Sequence, residues 1–360
     1  MKVAVIGGGI NGIMSAWALA QSGHTVTLFE RDSIMSATSA NSTKLLHGGL
    51  RYLEHGQIRF VREGLRERLW WIEQAPHLAH PLELVLPVYA WSSRSRWKIG
   101  AGLTLYDFLA GTRNLAAHKW HGRDDLLGMA PELKPDGLRG GFTFFDGQMD
   151  DRRLGLWAAE QAREAGVEFC EHLPVTCVTR DGEVEAGDTR QRFDSVVNAA
   201  GPWVEQLLQQ SGIPSRYRLD LVRGSHLLLR SRVSRGFLLE VPEEERICFV
   251  LPYQGRSLVG TTEVRQTLSD PIRCSDEERD YLLRIYNSTF QPAATAADIA
   301  ETFAGVRPLV RSSENASRES RECVIETQNR LINVFGGKWT TARALGQAVA
   351  RVVSRQAAAS

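Results

Sequence analysis

The sequence is poor in cysteine, and the five cysteines that it contains form no recognisable set. They stand at positions 170, 177, 248, 274 and 323, an odd number without a C-x-x-C pair. Such a set argues against a disulfide scaffold and a cysteine zinc site, and it fits a reducing compartment. We therefore interpret all five as small core residues.

An excess of charge and a long apolar run are also missing. Lysine and arginine total 43 and aspartate and glutamate 42, which leaves a formal net charge of +1. That balance argues against a nucleic-acid binder, which usually carries a basic excess. No segment approaches the roughly 18 apolar residues of a membrane span, and a strand that begins at Val3 leaves no room for a cleaved leader. The sequence therefore predicts a cytoplasmic protein.

The chain does have the composition of a globular protein, with 43% hydrophobic and 24% charged residues. At about 150 residues per domain, its length suffices for roughly two domains. Apolar runs typical of buried parallel strands lie at residues 3–6, 25–29, 193–200 and 331–335. Further strands are predicted at 84–89, 226–229, 247–251 and 257–261, and helices at 13–21, 58–74, 150–165 and 276–290. Because the parallel-type strands are scattered along the chain, two interleaved domains are expected.

The first strand runs directly into a glycine-rich turn and an alanine-rich helix. Gly7, Gly9 and Gly12 form the pattern G-x-G-x-x-G, and Glu30 lies 18 residues beyond Gly12, at the end of the next strand. In this context the pattern indicates a dinucleotide site. The three glycines would permit the turn, the approach of the pyrophosphate and close helix–strand packing, in that order. The helix N-terminus would face the phosphates, and Glu30 the ribose hydroxyls.

The rest of the sequence favours FAD over a nicotinamide dinucleotide. A nicotinamide dehydrogenase would usually complete its parallel sheet soon after this first unit. Here a Ser/Thr-rich loop at residues 33–43, a Gly-Gly-Leu-Arg segment at 48–51 and a late Gly-Gly-Lys helix start at 336–338 follow instead. A flavin wrapped by distant segments of the chain explains this arrangement better.

At these motifs the chain resembles the FAD-dependent glycerol-3-phosphate dehydrogenase family, within the broader amino-acid-oxidase-like flavoproteins. The string S-T-K-L-L-H-G-G-L-R-Y-L-E-H at residues 42–55 is specific, and further matches lie at 6–12, 75–78, 198–204, 224–226, 260–263, 305–309 and 335–338. Family members typically continue into a C-terminal helical domain, whereas this sequence stops after the expected last FAD-binding helix. Trp339 and Glu263 also depart from the family, which commonly has a smaller aliphatic residue and an aspartate there.

The resemblance implies an α/β fold, in which a Rossmann-like FAD-binding domain is interleaved with an antiparallel-sheet substrate domain. We predict the FAD-binding domain at residues 1–80, 147–212 and 326–360, and the substrate domain at 81–146 and 213–325. Cofactor contacts are expected from residues of the matching motifs, namely Gly7, Gly9, Ile10, Asn11, Gly12, Glu30, Thr38, Ser42, Lys44, His47, Gly48, Gly49, Gly201, Trp203, Gly336, Gly337, Lys338, Trp339 and Thr340.

The resemblance also implies a phosphorylated or otherwise anionic polyol as substrate. The planar guanidinium of arginine suits phosphate oxygens, and Lys338 would add a charge at a helix N-terminus, where anions are already favoured. By resemblance, His226 and Arg307 are the catalytic candidates. The substrate pocket is expected to contain Arg51, Tyr52, His226, Arg307, Arg318 and Lys338.

The activity so implied is that of an FAD-dependent dehydrogenase or oxidase that oxidises the C2 hydroxyl of sn-glycerol 3-phosphate, or of a related anionic polyol, by hydride transfer to FAD. A general base with a pKa of about 7 suits the loss of the hydroxyl proton, and His226 is a better candidate than His47. Two alternatives stay open. One is an FAD-dependent oxidase or dehydrogenase of 2-hydroxy or 2-amino acids, and the other is a flavin subunit that requires a partner protein.

The family mostly passes electrons to membrane quinone, and some members use oxygen, so quinone, oxygen or a protein is the expected acceptor. Residues 94–98, R-S-R-W-K, could touch anionic lipid through charge and tryptophan. A solvated basic loop beside a core helix is the favoured interpretation, which leaves peripheral contact with the inner face of the cell membrane as the alternative. His118 and His121 form H-x-x-H without an acidic partner at ligand spacing, so no metal site is predicted.

Overall fold

The computed structural model describes residues 1–244, 246–311 and 323–359, and in these ranges the chain forms 19 strands and eight α-helices. The strands are β1 (Lys2–Ile6), β2 (Thr25–Phe29), β3 (Leu45–Leu46), β4 (Ala79–Tyr89), β5 (Lys119–Gly122), β6 (Leu138–Met149), β7 (Glu168–Cys170), β8 (Val175–Val178), β9 (Glu183–Ala186), β10 (Thr189–Arg192), β11 (Ser195–Asn198), β12 (Leu219–Leu229), β13 (Gly236–Glu240), β14 (Ile247–Tyr253), β15 (Arg256–Gly260), β16 (Val264–Gln266), β17 (Ile299–Val310), β18 (Cys323–Gln328) and β19 (Leu331–Gly336). The helices are α1 (Ile10–Gln21), α2 (Ile58–Gln74), α3 (Arg96–Ala110), α4 (Arg123–Met129), α5 (Asp151–Glu164), α6 (Val204–Gln210), α7 (Asp276–Thr289) and α8 (Ala342–Ala359).

A six-stranded sheet carries the predicted dinucleotide motif, in the order β18-β19-β11-β1-β2-β7. All of its pairings are parallel except that of β18 with β19. Its central strand β1 is buried on both faces, as its continuous apolar run predicts. Val3 and Val5 pack against α1, α5 and α8, while Ala4 and Ile6 pack on the opposite side, towards α6 and the small antiparallel sheet β10-β9-β8.

A second, mostly antiparallel sheet of ten strands carries the other half of the molecule. Its main path is β16-β12-β15-β14-β13-β4-β6-β3, with β17 paired to β12 and β5 to β6. The inward and outward side chains of β4 belong to different cores, as the two-residue period of a strand requires. Val85 packs with α4 and α7, and Leu84 and Leu86 pack with α2 and α3.

The predicted α/β fold, a parallel sheet combined with an antiparallel one, is confirmed. Each sheet draws strands from separated stretches of sequence, and the two residues of β3 join the large sheet although they lie within the first predicted FAD-binding segment. The exact domain boundaries stay a prediction. None of the helices in the described part of the chain is long and apolar enough to cross a membrane.

Candidate active site

A cavity of about 1430 Å³ extends between the ends of the parallel strands and the inner face of the large sheet. Its lining includes Ile6 and Phe29 at the ends of β1 and β2, and His226, Leu238 and Phe249 from β12, β13 and β14. In open parallel sheets, ligands bind at the carboxyl ends of the strands, where these first two residues lie. The fold therefore brings the dinucleotide motif and the predicted substrate residues to one cavity.

Two glycines of the first turn, Gly7 and Gly12, have the steric roles that their spacing predicts. Gly7 has φ +109°, a conformation that side chains with a Cβ rarely adopt. A Cβ at Gly12 would collide with the carbonyl oxygen of Gly7, so Gly12 allows α1 to pack on the turn. Gly7 and Gly9 line the cavity, whereas Gly12 lies behind them.

Glu30 is engaged by the protein backbone. Its Oε2 accepts a hydrogen bond from the Gly8 amide at 2.6 Å, and its Oε1 accepts one from the Asp32 amide at 2.9 Å. Glu30 thus ties the glycine turn to the end of β2. Each carboxylate oxygen has a second lone pair, so the side chain, which lines the cavity, can still accept a hydrogen bond from a ligand hydroxyl.

The Ser/Thr-rich loop is fixed by a buried ion pair. Lys44 Nζ lies 2.7 Å from Asp151 Oδ1 and donates to the Ala40 carbonyl oxygen at 2.8 Å. The other carboxylate oxygen of Asp151 accepts hydrogen bonds from both the amide and the hydroxyl of Ser42. Ser42 lines the cavity, while the Lys44 side chain points away to Asp151. Lys44 therefore holds the cavity-lining loop in place, and a direct contact of Lys44 with the cofactor stays a prediction.

The turn at residues 47–49 rests on a second buried network. The Gly48 amide donates to Tyr106 Oη at 2.9 Å and to Asp146 Oδ1 at 3.2 Å, and Arg68 Nη1 lies 2.8 Å from the same carboxylate oxygen. Burial raises the pKa of Tyr106 well above its ordinary value. Gly48 does not line the cavity, and a Cβ there would collide with the Tyr106 hydroxyl. His47 and Gly49 line the cavity on either side of it.

The late glycine pair lies beside the first turn, as the predicted wrapping of one ligand by distant segments requires. Asn11 Nδ2 donates to the Gly336 carbonyl oxygen at 3.3 Å, and a Cβ at Gly337 would collide with the Asn11 amide. Asn11 Oδ1 is buried and has no hydrogen-bond partner among the described residues. Because an unsatisfied buried acceptor is costly, and Asn11 lines the cavity, this atom fits a hydrogen bond from a bound ligand.

Two aromatic contacts complete the wall. Trp339 Nε1 donates to the Ser39 carbonyl oxygen at 3.0 Å, which joins the late segment to the Ser/Thr-rich loop. At the other end, the Arg31 guanidinium lies 3.9 Å from the centre of the Trp203 ring. Sixteen of the predicted cofactor residues line the cavity, namely Gly7, Gly9, Ile10, Asn11, Glu30, Thr38, Ser42, His47, Gly49, Gly201, Trp203, Gly336, Gly337, Lys338, Trp339 and Thr340.

The predicted cations of the substrate pocket converge from three parts of the chain. Arg51 and Tyr52 lie on a 3₁₀ turn, Arg307 on β17 and Lys338 after β19, and all four line the cavity. Lys338 Nζ lies 3.7 Å from the centre of the Tyr52 ring, within the range of a cation–π contact. Arg318 falls outside the described residues.

Arg307 is held by weak contacts at its outer end. Its Nη2 donates to the Thr262 carbonyl oxygen and lies 3.3 Å from Glu263 Oε1, in a pair whose side chains are 40% and 47% exposed. Its Nε is buried without a hydrogen-bond partner among the residues that the structure describes. A buried guanidinium N–H in a cavity wall is a donor that fits an anionic ligand.

His226 differs from its expected state. It is 2% exposed and stacks on Phe303 at a centroid distance of 4.7 Å. Burial, followed by the charges of Lys44 and Arg307, lowers the pKa of His226 to about 3. The imidazole is therefore neutral at physiological pH, in contrast to the value of about 7 that suits a general base, and the role of His226 as that base stays a prediction.

The ring nitrogens of His226 have different surroundings. Its Nε2 lies 3.0 Å from Thr43 Oγ1. Its Nδ1 is buried and has no partner within the described ranges of the chain. Because Thr43 also lines the cavity, its hydroxyl and His226 Nε2 together form one polar position in the wall.

Several residues that shape the site gave little signal in the sequence. Asp146 and Asp151 lie on β6 and α5, and they act by holding cavity-lining loops rather than by matching a motif. Thr43 lies inside the string at residues 42–55 that carries the family resemblance, so that string could have directed attention to it. Glu263 was noted as a departure from the family but not as a site residue. The H-x-x-H histidines are engaged separately, His118 with Asp107 at 2.7 Å and His121 with Thr143 at 3.0 Å.

The residues around this cavity fit an FAD. A helix N-terminus behind a glycine turn suits the pyrophosphate, the unsatisfied Asn11 Oδ1 suits a ligand donor, and the cavity runs from this turn to the cluster of cations. It is also large compared with common ligand pockets of about 300–1,000 Å³.

Comparison with known proteins agrees with the assignment of an FAD site. Residues 2–352 match the family model described as FAD dependent oxidoreductase, DAO. Glycerol-3-phosphate dehydrogenase from Pseudomonas aeruginosa is 38% identical over 367 residues, which cover 96% of this chain and 70% of that protein. D-erythritol 1-phosphate dehydrogenase from Brucella abortus is 35% identical over 364 residues, 95% of this chain and 71% of that protein.

A solved structure extends the match to three dimensions. The crystal structure of glycerol-3-phosphate dehydrogenase from Bacillus halodurans, complexed with FAD, superposes with a TM-score of 0.79 at 26% identity. The match covers 99% of this chain and 65% of that one. The chain thus spans about two thirds of the length of these relatives.

Proposed function

The chain belongs to the family of FAD-dependent oxidoreductases, and from that premise we propose that it oxidises the C2 hydroxyl of sn-glycerol 3-phosphate or a closely related anionic polyol. The family match confirms the predicted class of enzyme and its cofactor, FAD. The observation that carries the substrate proposal is the convergence of Arg51, Arg307 and Lys338 on the cavity that also contains the dinucleotide turn.

We assign FAD to the glycine turn, the Ser/Thr-rich loop and the late glycine pair, whose residues would surround it. Bound FAD would supply the acceptor for the two electrons and the hydride lost from the substrate carbon. The protein supplies binding and orientation. Arg307 and Arg51 would hold the anionic group, and fixing that group restricts where the C2 carbon lies, which lowers the entropic part of the barrier.

The C2 hydroxyl must also lose its proton, and His226 is the proposed acceptor. With a pKa of about 3, the imidazole is neutral at pH 7, so one ring nitrogen has a lone pair that can accept a proton. Such a low value makes it a weak base. A bound phosphate would counteract the charge of Arg307, one of the causes of the low pKa, so substrate binding would strengthen the base that it needs.

An anaerobic substrate panel tests this proposal. The FAD-loaded protein is mixed with glycerol 3-phosphate, erythritol phosphates, glycerol, 2-hydroxy acids and 2-amino acids, and the loss of oxidised flavin absorbance is followed. We expect rapid loss with the phosphorylated polyols and little with glycerol, which lacks the anion. A response to 2-hydroxy or 2-amino acids alone would overturn the substrate class in favour of the first alternative. No response until a partner protein is added would favour a flavin subunit.

We propose quinone as the electron acceptor, with oxygen or a protein as the other outcomes. Support comes from α3, where Trp97 and Phe108 are 75% and 74% exposed, since exposed aromatic residues favour a membrane interface. Arg94, the first cation of the basic segment, is less available, because it forms ion pairs with Glu54 and Glu240. Flotation with anionic liposomes tests the membrane contact, and a protein that stays unbound with and without anionic lipid would contradict it.

A further inference from the structure

Five of the nine tryptophans form one connected cluster that starts at the cavity wall. The first is Trp339, which lines the cavity. Its ring centroid lies 5.0 Å from that of Trp71, which is completely buried on α2. From Trp71 the cluster divides, with Trp70 at 4.9 Å and Trp157 at 6.3 Å. Both branches meet again at Trp17 on α1, at 6.0 and 6.1 Å.

Packing alone accounts for part of this arrangement. The five interplanar angles run from 52° to 84°, and tilted or edge-on pairs at such distances are favourable aromatic contacts. Packing does not require that the cluster connect the cofactor cavity with the surface. Trp17, Trp70 and Trp157 are each half-buried, so the outer end meets solvent while the inner end faces the cavity.

We propose that this cluster is a path for single electrons between the flavin cavity and the protein surface, which gives the protein a light-driven reaction in addition to substrate oxidation. Indole is readily oxidised by one electron, and flavins are among the cofactors that take part in one-electron chemistry. Trp339 is the entry point because it is the member of the cluster that lines the cavity.

The hydrogen bonds of the two inner tryptophans, Trp339 and Trp71, favour the onward transfer of an electron over the trapping of a tryptophan radical. A tryptophan that has lost an electron is trapped when its N–H proton leaves. Trp339 Nε1 donates to the Ser39 carbonyl oxygen at 3.0 Å, and Trp71 Nε1 to the Thr340 carbonyl oxygen at 3.1 Å. Amide carbonyls accept hydrogen bonds but are too weakly basic to take the proton. The outer rings, which reach water, are the places where proton loss can occur.

The proposed reaction balances as follows. Trp339 gives one electron to the light-excited, oxidised flavin, and each ring along the path then gives one electron to its inner neighbour. A thiol in solution returns the electron to an outer tryptophan. In a second light-driven event the flavin that already holds one electron takes up another. The two thiols together lose two electrons and release two protons to water as they form one disulfide, and the flavin takes up two protons from water as it becomes fully reduced. No polyol substrate is consumed.

The test uses the FAD-loaded protein under anaerobic conditions with dithiothreitol and no substrate. Two readouts are followed, the loss of oxidised flavin absorbance under steady blue light and the absorbance of the tryptophan radical after a laser flash. The variants are Trp71→Phe, the single changes Trp70→Phe and Trp157→Phe, and their combination. Trp91→Phe is the matched control, because Trp91 follows β4, lies outside the cluster and has an exposed side chain.

The branching of the cluster dictates the pattern expected. Trp71→Phe should abolish the long-lived radical and reduce bleaching to the slow background, since every route passes through Trp71. Each single outer change leaves one branch and should have a small effect, while the double change should match Trp71→Phe. Trp91→Phe should behave as wild type.

FAD content, circular dichroism and reduction by substrate in the dark verify that each variant is folded and loaded. If Trp71→Phe does not fold, the double variant, whose replaced side chains are half-buried, provides the same test. A loaded Trp71→Phe or double variant that keeps the wild-type radical lifetime and bleaching rate would overturn the proposal.

Discussion

Two ion pairs lie near His226 and differ in almost every physical respect. Lys44 and Asp151 are 2.7 Å apart with side chains 7% and 1% exposed, whereas Arg307 and Glu263 are 3.3 Å apart and 40% and 47% exposed. The first pair is shielded from water and held by fixed hydrogen-bond partners, whereas the second pair remains largely in contact with water. A buried pair cannot lose one member cheaply, but an exposed pair is worth about 0–1 kcal/mol and can exchange partners.

The difference assigns different tasks to two cations that both lower the pKa of the same histidine. Lys44 is committed to Asp151 and shapes the loop at residues 40–44. Arg307 can leave Glu263 for an anionic ligand at small cost. The fold thus keeps the charge of Lys44 permanently beside His226. The effect of Arg307 on the pKa of His226 depends on whether an anionic ligand is bound in the cavity.

The largest effect is expected from Asp151→Asn, which leaves Lys44 buried without its counter-ion. We expect the free energy of unfolding of the FAD-loaded protein to fall by about 3–5 kcal/mol, measured by urea denaturation. Asp32→Asn is the control, because Asp32 pairs with Arg31 at an exposed position and should cost about 0–1 kcal/mol. Equal losses in the two variants would show that burial does not distinguish these pairs.

His226→Ala should lower the rate of flavin reduction at saturating substrate by on the order of a hundredfold, the lower end of the cost of losing a general base. The lower end is expected because a base whose pKa is about 3 is poorly matched to neutral pH. Single-turnover reduction in a stopped-flow instrument measures it. An unchanged rate would remove His226 from the proton transfer.

The pH dependence of kcat/KM tests the lowered pKa of His226 directly. Since the pKa of His226 is lowered to about 3, the imidazole is neutral throughout the range from pH 5 to 8 and gains a proton only in stronger acid. The kcat/KM of the wild type, which reports the free enzyme, should therefore show no inflection from His226 in that range. An inflection near pH 6.5 that disappears in His226→Asn would contradict the assigned burial.

Arg307→Ala should raise KM by about tenfold to a hundredfold, because a hydrogen bond to a charged group is worth about 1.5–3 kcal/mol. Steady-state kinetics with glycerol 3-phosphate measures the change. Arg311→Ala is the matched control, since Arg311 follows the same strand, is more exposed and pairs with Asp220. A KM shift no larger than that of the control would contradict the assignment of Arg307 to the anion.

The sequence predicted the parallel sheet better than the antiparallel one. The runs at 3–6 and 331–335 are continuous and apolar, so β1 and β19 were evident, and the helix at residues 58–74 has the observed bounds. Strands β6 and β17, each of 12 residues, were missed. Gly140 and Gly141 interrupt the first and Pro308 the second, and such residues usually mark loops or edges, so only the pairing partners reveal these strands.

The site shows a related limit. The spacing of the first glycines and the family resemblance identified most of the residues that line the cavity, because glycines and cations carry their chemistry in their identity. Neither showed that the Lys44 side chain lies behind the cavity wall or that the pKa of His226 is far below the value of about 7 that suits the base. Burial and the charges of segments distant in the sequence decide both properties. The position of a side chain and its pKa depend on residues that only the folded chain brings together, so a short sequence motif does not reveal them.

The smallest effect is expected from Glu263→Gln, which removes the partner that competes with the substrate for Arg307. Because the pair is exposed, its loss is worth about 0–1 kcal/mol, so KM for glycerol 3-phosphate should fall by less than about fivefold. Steady-state kinetics at low ionic strength is the measurement, since salt screens exposed pairs. Glu185→Gln, which removes a carboxylate paired with Arg190 on an exposed strand, is the control. A rise in KM would instead show that Glu263 contacts the substrate. In that case the Arg307–Glu263 pair would not exchange its partner for the substrate, and its position alone would distinguish it from the Lys44–Asp151 pair.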